Sequence, residues 1–332
     1  MRYLDGLRST PKRWSVIGLG TWQFGSTEWG YGPGFAGEAA RVVARARELG
    51  ITVFDTAELY GFGRSERILG DALRAAGGTG DTDGTDGVVL ATKFFPVLPV
   101  APVLQQRAVA SAGRLGVSTL DLYQVHKPHP VLGDASAMRG MAALQRIGLV
   151  RDAGVSAYSL DRWRSAEAAL GAPVLSNQVE FSLLSRAPAR DLVPHAAAHG
   201  RVVMAYSPLA QGLLTGRYDE AHRPSNTVRR NAAWLPENLR ALRPLLDALR
   251  DVASAHDATP AQVALAWVVH HPNTVAIPGA SSVAQLESNA AAADIALRAD
   301  EHAGLTEAAE QVHRTVGPRA FPALARDLLA AR

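Results

Sequence analysis

Four side chains that can exchange protons occur where short apolar segments of the sequence end. Asp55 and Tyr60 follow "ITVF" in the stretch "DTAELYG", Lys93 ends "GVVLATK", and His126 ends "LDLYQVH". Each has an ordinary explanation when it is considered alone: a turn residue, a rim aromatic, a solvated charge or a packed histidine. Packing gives no reason for all four to gather, so their shared position at segment ends indicates a candidate site.

Together these groups could protonate an oxygen atom. The pKa of a tyrosine is ordinarily about 10, so its hydroxyl is a useful proton donor near neutral pH only if its phenolate is stabilised. A nearby ammonium such as that of Lys93 does this, and a carboxylate such as that of Asp55 holds the ammonium in place. A histidine can orient a bound carbonyl oxygen, and the natural attacker at the carbonyl carbon is a hydride from a nicotinamide.

Strands and helices must bring these groups together. Short apolar segments predict eight strands, at residues 15–20, 51–56, 87–93, 120–126, 151–157, 174–181, 202–208 and 274–279. The segments between them carry apolar residues three and four positions apart, which is typical of amphipathic helices; Ala39, Val42, Val43, Ala46 and Leu49 form one such face. Thr259 and Pro260 predict the start of another helix.

Alternating strands and helices predict parallel βα units. Eight units in 332 residues favour an α/β fold of the (β/α)8 barrel type, and we expect residues 1–332 to form a single domain. The C-terminal ends of barrel strands form one rim, where the four candidate side chains would meet. The alternative is a doubly wound sheet, but "GLGTWQFG" has only the first two glycines of a dinucleotide-binding turn.

The composition argues against several classes of function. The chain has no cysteine, which excludes disulfides, thiolate nucleophiles and cysteine zinc sites. Its formal charge is +3 and its arginines are scattered, so we expect no nucleic-acid partner. No apolar run approaches the roughly 18 residues of a membrane span, and residues 1–10 lack a signal-peptide core, so a cytoplasmic protein is expected. The acidic segment 77–87 lacks the glutamate of an EF-hand loop, and we expect no metal site.

Motifs spread over nearly the whole chain resemble those of a known enzyme family. In order they are "GLGTWQFG", "FDTAELYGFGRSERILG", "ATKF", "LDLYQVHKP", "GVSAYS", "NQVEFSLL", "AYSPLAQGLLTGRY" and "IPGASSVAQLESN". From about residue 14 to about residue 295 the sequence resembles the aldo-keto reductase superfamily. The resemblance implies a barrel closed at its bottom by an N-terminal hairpin at about residues 2–17. It also implies an NADPH-dependent carbonyl reductase with Tyr60 as the acid, Asp55 and Lys93 tuning it, and His126 orienting the substrate.

The resemblance further implies which residues bind NADP(H). Tyr206 would stack on the nicotinamide, Ser156 and Gln178 would contact its carboxamide, and Arg217 with residues 207–213 would hold the pyrophosphate. The implied set is Gly20, Thr21, Trp22, Asp55, Ser156, Gln178, Tyr206, Ser207, Pro208, Leu209, Gln211, Gly212, Leu213, Arg217, Gly279, Ser281, Gln285 and Asn289. The last four would lie at the adenosine phosphate, since a helix N-terminus suits an anion.

Two residues depart from the family pattern. Ala157 stands where many relatives have asparagine, so one hydrogen bond to the carboxamide would be missing or supplied elsewhere. Ser281 stands where many relatives have arginine or lysine for the 2′-phosphate. The channel-associated β-subunits of the superfamily resemble this serine-containing version and hold NADP, so NADP is still favoured. Gln285 also has a second interpretation, because Ser282 and Gln285 are spaced as a capping box.

The resemblance leaves the substrate open beyond an aldehyde or a ketone. Trp22, Phe95, Lys127, the aromatic stretch 26–35 and the insert 229–238 would shape its pocket. "NQVEFSLLSRAP" and "SPLAQGLLTGRY" resemble the pyridoxal-reductase-like branch, which is consistent with an aromatic aldehyde.

Two other classes of function stay open. One is a redox-sensing module like the potassium-channel β-subunits, against which the presence of His126 argues for catalysis. The other is an aldolase that forms a Schiff base on Lys93, in which the remaining rim side chains would have no purpose. The sequence gives no indication of the oligomeric state.

Overall fold

The computed structural model describes residues 1–5, 7, 12–25, 35–77, 87–224 and 231–323. Eight strands follow one another around a sheet in the order of the sequence, and every neighbouring pair is parallel. Their bounds are β1 Leu19–Gly20, β2 Val53–Asp55, β3 Val89–Phe94, β4 Leu120–Val125, β5 Val150–Ser156, β6 Val174–Glu180, β7 Val202–Tyr206 and β8 Thr274–Ala276. Strands covered on both faces read as continuous apolar runs, which is why short apolar segments of the sequence located them.

The first and last strands also meet, so the sheet closes. Isolated parallel bridges pair Ile17 with Ala276 and Gly20 with Gly279. Gly20 permits this approach, because a Cβ at that position would lie 2.7 Å from the Ile277 carbonyl oxygen. The predicted (β/α)8 barrel is therefore confirmed, and the doubly wound alternative is wrong.

An N-terminal hairpin covers the bottom of the barrel. Tyr3 and Ser15 pair as antiparallel neighbours, and the Leu4 amide donates to the Trp14 carbonyl at 2.8 Å. Trp14 is 1% exposed and packs with the apolar side chains inside the barrel. The hairpin implied by the family resemblance is thus present, although residues 6 and 8–11 within its span are not among the described residues.

Helices pack around the outside of the strands. Their bounds are α1 Trp22–Gly25, α2 Phe35–Glu48, α3 Arg64–Ala75, α4 Ala101–Leu115, α5 Ala135–Arg146, α6 Leu160–Leu170, α7 Leu192–His199, α8 Pro236–Ala255, α9 Pro260–His270, α10 Val283–Ala291 and α11 Ala299–Glu310. Of the face predicted in α2, Ala39, Val42, Val43 and Ala46 are buried. Helix α9 begins as predicted, since the Thr259 hydroxyl accepts from the Gln262 amide at 3.3 Å.

The barrel interior changes from apolar at the bottom to polar at the top. Near the C-terminal strand ends, the Ser176 hydroxyl donates to the Gln124 side-chain oxygen at 3.1 Å. Gly154 leaves room for this pair, because a Cβ there would lie 2.4 Å from Ser176 Oγ. The register places Lys93 beside Gln124, and Asp55 one strand away, so neighbouring strands carry the predicted site residues to one rim.

Some predicted features differ from the structure or lie outside the part that it describes. Strands β1 and β8 are two and three residues long, shorter than predicted, because the adjoining residues pair only through isolated bridges. Residues 26–34 of the aromatic stretch, 78–86 of the acidic segment and 229–230 of the insert are not described. The extent of the single domain stays a prediction.

The described ranges contain neither a membrane-spanning helix nor a cluster of metal ligands. No helix there is long and apolar enough to cross a membrane. No group of three His, Cys, Asp or Glu side chains in the same ranges could hold a metal ion.

Candidate active site

A cleft of about 720 Å³ opens at the rim formed by the C-terminal strand ends. The predicted site residues that line it are Gly20, Thr21, Trp22, Asp55, Tyr60, His126, Lys127, Ser156, Gln178, Tyr206, Ser207, Pro208, Leu209, Gln211, Gly212, Arg217, Gly279 and Gln285. The predicted residues outside this lining are Lys93, Phe95, Leu213, Ser281 and Asn289. Most of the set that the sequence singled out therefore gathers around one cavity.

Asp55 and Lys93 form a buried ion pair at the base of the cleft. The Lys93 ammonium donates to both Asp55 carboxylate oxygens, at 2.8 and 2.7 Å, and to the Thr56 carbonyl at 2.8 Å. Lys93 is 0% exposed and Asp55 is 2% exposed. Burial lowers the pKa of Lys93 from its ordinary value, and pairing with Asp55 opposes this shift. Lys93 is therefore an internal charge with three acceptors and not a solvated strand end.

A network of buried hydroxyls fixes the strand end that carries Asp55. The Thr21 amide and hydroxyl both donate to the Asp55 carbonyl, each at 2.9 Å. The Ser65 hydroxyl lies 2.9 Å from the hydroxyls of Thr21 and Thr56 and donates to the Thr21 carbonyl at 2.7 Å. These bonds tie the end of β2 to the start of α1 and to α3, so the backbone next to the carboxylate is held on two sides.

Tyr60 lies next to this ion pair. Lys93 Nζ is 5.1 Å from the centroid of the Tyr60 ring, and the His126 ring packs edge-on at 5.7 Å between centroids. Burial raises the pKa of Tyr60 well above its ordinary value, and the Asp55 charge raises it further. Burial and the Asp55 charge thus dominate the pKa of the resting Tyr60, and stabilisation of its phenolate by Lys93 stays a prediction. The Tyr60 hydroxyl keeps its proton.

His126 is held as a neutral ring. Burial lowers the pKa of His126 to about 3, and the charges of Lys93 and Lys127 contribute to the shift. Its buried Nδ1 has no hydrogen-bond partner among the residues that the structure describes. The Tyr60 and Phe95 rings pack edge-on against it, with centroids at 5.7 and 6.0 Å. A neutral imidazole that lines the cleft can contact a ligand oxygen without adding a charge.

Glu58, which was not among the predicted site residues, positions the rim. One carboxylate oxygen accepts from the Phe95 amide at 2.6 Å, and the other accepts from Arg107 Nε at 3.0 Å. Arg107 also donates to the Phe95 carbonyl at 2.6 Å. These bonds fix the backbone of Phe95, whose ring packs on His126. A signal was present, since Glu58 belongs to the same stretch "DTAELYG" as two predicted site residues.

Strands β5 and β6 add polar groups beside the ion pair. The Gln178 side-chain amide donates to Asp55 Oδ1 at 2.8 Å, and the Ser156 hydroxyl donates to the Gln178 main-chain carbonyl at 2.9 Å. Ala157 follows with a φ of 59°, in the left-handed region that asparagine and glycine adopt more readily than alanine. Both predicted carboxamide-binding residues thus line the cleft while already bonded to the protein.

The segment after β7, residues 207–217, is called the strap here because it borders the cleft. Positive φ values of 50°, 48°, 59° and 100° occur at Ser207, Ala210, Gln211 and Gly212. Successive amides in such turned backbone can form a concave site for an anion. Arg217 at the end of the strap lines the cleft, and no described residue forms an ion pair with it.

The loop that enters α10 makes its own hydrogen bonds. The Ser281 amide and hydroxyl donate to Gln285 Oε1 at 2.8 and 2.9 Å, and the Ser282 hydroxyl accepts from the Gln285 amide at 3.2 Å. Half of the predicted capping box is therefore present, while the Gln285 side chain contacts Ser281. Asn289 is 4% exposed and donates to the Gly279 carbonyl at 3.2 Å, which fixes the loop to the helix.

The cleft also includes residues that sequence reasoning missed. They are Gln23, Thr215, Tyr218, Pro224, Ile277 and Pro278. All of them except Pro224 had a visible signal, because they lie inside the motifs "GLGTWQFG", "AYSPLAQGLLTGRY" and "IPGASSVAQLESN". The Gln23 side chain packs closely on Gly279, where a Cβ would lie 2.2 Å from Gln23 Nε2.

Comparison with known protein sequences agrees with this geometry. The profile described as Aldo/keto reductase family matches residues 16–310. An uncharacterized oxidoreductase of Mycobacterium tuberculosis (strain H37Rv) is 54% identical over 312 residues, which cover 93% of this chain and 93% of that protein. The chloroplastic pyridoxal reductase of Arabidopsis thaliana is 33% identical over 315 residues, which cover 91% of this chain and 85% of the relative.

A solved structure gives the same result at the level of the fold. An aldo-keto reductase from Klebsiella pneumoniae in complex with NADPH is similar with a TM-score of 0.72 and 29% sequence identity, covering 92% of this chain and 95% of that chain. The four rim side chains all lie within the matched residues 16–310. The chain therefore belongs to the aldo-keto reductase family.

Proposed function

We propose that this chain reduces an aldehyde or a ketone to an alcohol with NADPH, and that Tyr60 is the general acid. The observation that carries the proposal is a buried Asp55–Lys93 ion pair next to a protonated Tyr60 and a neutral His126 at a cleft. The Klebsiella pneumoniae relative, solved in complex with NADPH, supports the choice of cofactor.

The groups around the cleft fit a phosphorylated dinucleotide. Tyr206 offers an aromatic ring next to Ser156 and Gln178, which suits a nicotinamide. The turned backbone of the strap and the cation of Arg217 suit a pyrophosphate, and the N-terminus of α10 beside Ser281 suits the 2′-phosphate. When bound, the reduced nicotinamide supplies a hydride to the carbonyl carbon.

The protein's own part of the reaction is to move one proton. The Tyr60 hydroxyl donates to the carbonyl oxygen, and His126 orients that oxygen. As the oxygen gains negative charge during reduction, it takes the proton from Tyr60 and leaves a phenolate. The Lys93 ammonium, 5.1 Å from the ring centroid, stabilises this phenolate, and Asp55 keeps the ammonium charged. Tyr60 then recovers a proton from water.

The raised pKa of Tyr60 is compatible with this role. A buried phenol keeps its proton until a strongly basic oxygen is present, and the alkoxide-like oxygen formed by reduction is such a base. The Asp55 charge adds to this retention of the proton, and the Lys93 ammonium would stabilise the phenolate once it forms.

The two alternative functions receive less support. A Schiff-base aldolase needs an accessible neutral amine, whereas Lys93 is fully buried and donates to three oxygens. A redox-sensing module would not require a neutral His126 beside the proton donor. An aromatic aldehyde is the favoured substrate, because Trp22 lines the cleft, Phe95 packs on His126, and a 33% identical relative is named pyridoxal reductase.

The first prediction concerns the proton donor. Tyr60→Phe should lower kcat/KM for aldehyde reduction by about 10²–10⁴, because general acid catalysis contributes that much, while the NADPH dissociation constant is unchanged. Steady-state kinetics and fluorescence titration measure the two quantities. Tyr3→Phe, at the opposite end of the barrel, is the control. Near-normal turnover of Tyr60→Phe would remove Tyr60 from the mechanism.

The second prediction concerns pH. The pKa of His126 is lowered to about 3 and that of Tyr60 is raised, so His126 stays neutral and Tyr60 protonated between about pH 5 and pH 8. The kcat/KM of the unmodified protein should be flat across that range. It should fall only at higher pH, where Tyr60 or Lys93 loses its proton. An inflection near the ordinary histidine pKa that disappears in His126→Asn would contradict this assignment.

The third prediction concerns the ion pair. Lys93→Met leaves a buried carboxylate without its partner, so it should abolish reduction and lower the free energy of unfolding by about 3–5 kcal/mol. The double variant Asp55→Asn/Lys93→Met should recover much of the stability but not the activity, because a neutral amide needs no counter-charge. Urea denaturation of Lys93→Met, Asp55→Asn and the double variant gives the interaction free energy between the two side chains. Additive losses would show that the two side chains are not coupled.

The fourth prediction concerns Ala157. Ala157→Asn and Ala157→Gly should both relieve the left-handed strain, by up to about 1 kcal/mol, which denaturation measures. Only Ala157→Asn adds an amide next to the proposed carboxamide site. It should therefore tighten NADPH binding a few-fold, since one hydrogen bond contributes about 1 kcal/mol. Equal NADPH affinities for the two variants would place residue 157 away from the nicotinamide.

A further inference from the structure

We infer that the carbonyl substrate carries an anionic group, a carboxylate or a phosphate, which Lys127 binds at the mouth of the cleft. This inference rests on the proposed function, because it concerns the substrate of that same site. The placement of Lys127 beside His126 and the balance of charges around the cleft carry it.

Lys127 is held next to the substrate end of the cleft. It directly follows His126, its side chain is exposed at the lining, and its Nζ lies 4.5 Å from the centroid of the Phe95 ring. The Phe95 ring in turn packs on the His126 ring at 6.0 Å, and Glu58 fixes the Phe95 backbone. Contact with the face of the Phe95 ring therefore holds the Lys127 ammonium near His126, which is proposed to orient the substrate carbonyl.

No described carboxylate neutralises Lys127. The other two lysines of the chain are each paired: Lys12 with Asp121 at 2.8 Å, and Lys93 with Asp55 at 2.7 Å. Among the residues that the structure describes, none forms an ion pair with Lys127. The lysine at the mouth of the cleft thus differs from the two that serve as internal charges.

The charges around the cleft leave it positive. Asp55 is the one carboxylate among the described residues that line it, and Lys93 compensates its charge. Glu58 on the same rim is engaged by an arginine. The lining cations without a described carboxylate partner are Lys127 and Arg217. A concave site with uncompensated cations raises the local concentration of anions.

Only one of these cations is free for a substrate. Arg217 belongs to the strap, which is assigned to the cofactor pyrophosphate. His126 is neutral, so its ring adds no positive charge. Lys127 remains, and a lysine ammonium binds carboxylates and phosphates as a compact point charge. An anion near His126 would meet little repulsion from Asp55 and Glu58, because each of these carboxylates is already paired with a cation.

The test compares aldehydes of similar shape and different charge. The ratio of kcat/KM for 4-carboxybenzaldehyde to that for 4-methylbenzaldehyde is measured with NADPH, and 4-formylphenyl phosphate is measured against the same neutral reference. Lys127→Met should lower the charged-to-neutral ratio by about two- to fivefold, since a solvent-exposed ion pair contributes up to about 1 kcal/mol. Lys127→Arg should keep the ratio, and added salt should lower it in the unmodified protein.

A matched control separates a local contact from overall charge. Arg139→Met removes one exposed cation from helix α5, outside the cleft lining, and should leave the ratio unchanged. An equal fall in Arg139→Met and Lys127→Met would overturn the inference, since it would show a general effect of net charge. An unchanged ratio in Lys127→Met would also overturn it, and would leave Lys127 as a packing partner of Phe95. The larger effect of carboxylate or phosphate identifies which anion is preferred.

Failure of the inference can be told apart from failure of the proposed function. Reduction of the neutral and charged aldehydes without any dependence on Lys127 would keep the proposed function and reject the anionic substrate. If no aldehyde is reduced, the anion site can still be tested by measuring the dissociation constant of 4-carboxybenzaldehyde by calorimetry. Weaker binding to Lys127→Met than to the unmodified protein supports the anion site, and equal binding rejects it.

Discussion

A lysine and an aspartate buried together inside a barrel place the main constraint on this molecule. Neither Lys93 nor Asp55 could occupy its position alone, because an uncompensated buried charge is strongly unfavourable. Strands β2 and β3 must therefore end in register, and the Thr56 carbonyl and the Gln178 amide must point at the pair. The packing of hydroxyls around Ser65 then follows, since it prevents the end of β2 from moving away from its partner.

The interior of the barrel holds an apolar part besides this polar one. Apolar side chains cluster around Trp14 next to the hairpin, and their burial contributes to stability. The upper half is then available for groups that packing alone would not select, such as the Ser176–Gln124 hydrogen bond. A parallel barrel suits this division because every strand starts in the core and ends at the rim.

Much of the fold and of the site could be predicted from the sequence, for identifiable reasons. Continuous apolar runs located the strands, and the residues at their ends, such as Lys93 and His126, were visible because they interrupt those runs. The raised pKa of Tyr60 was not predictable, since it depends on how deeply the phenol is buried and on the nearby Asp55 charge. The role of Glu58 was missed for a similar reason: its partner Arg107 lies 49 residues away and has no local signal.

The strap has a consequence for how much sequence change the cleft can tolerate. Three residues other than glycine in it, Ser207, Ala210 and Gln211, adopt left-handed backbone conformations. Such conformations cost about 1–3 kcal/mol each and persist only where the surrounding structure imposes them. Because the strap borders the cleft, a β-branched residue at any of these three positions would add strain next to the site and disturb its shape.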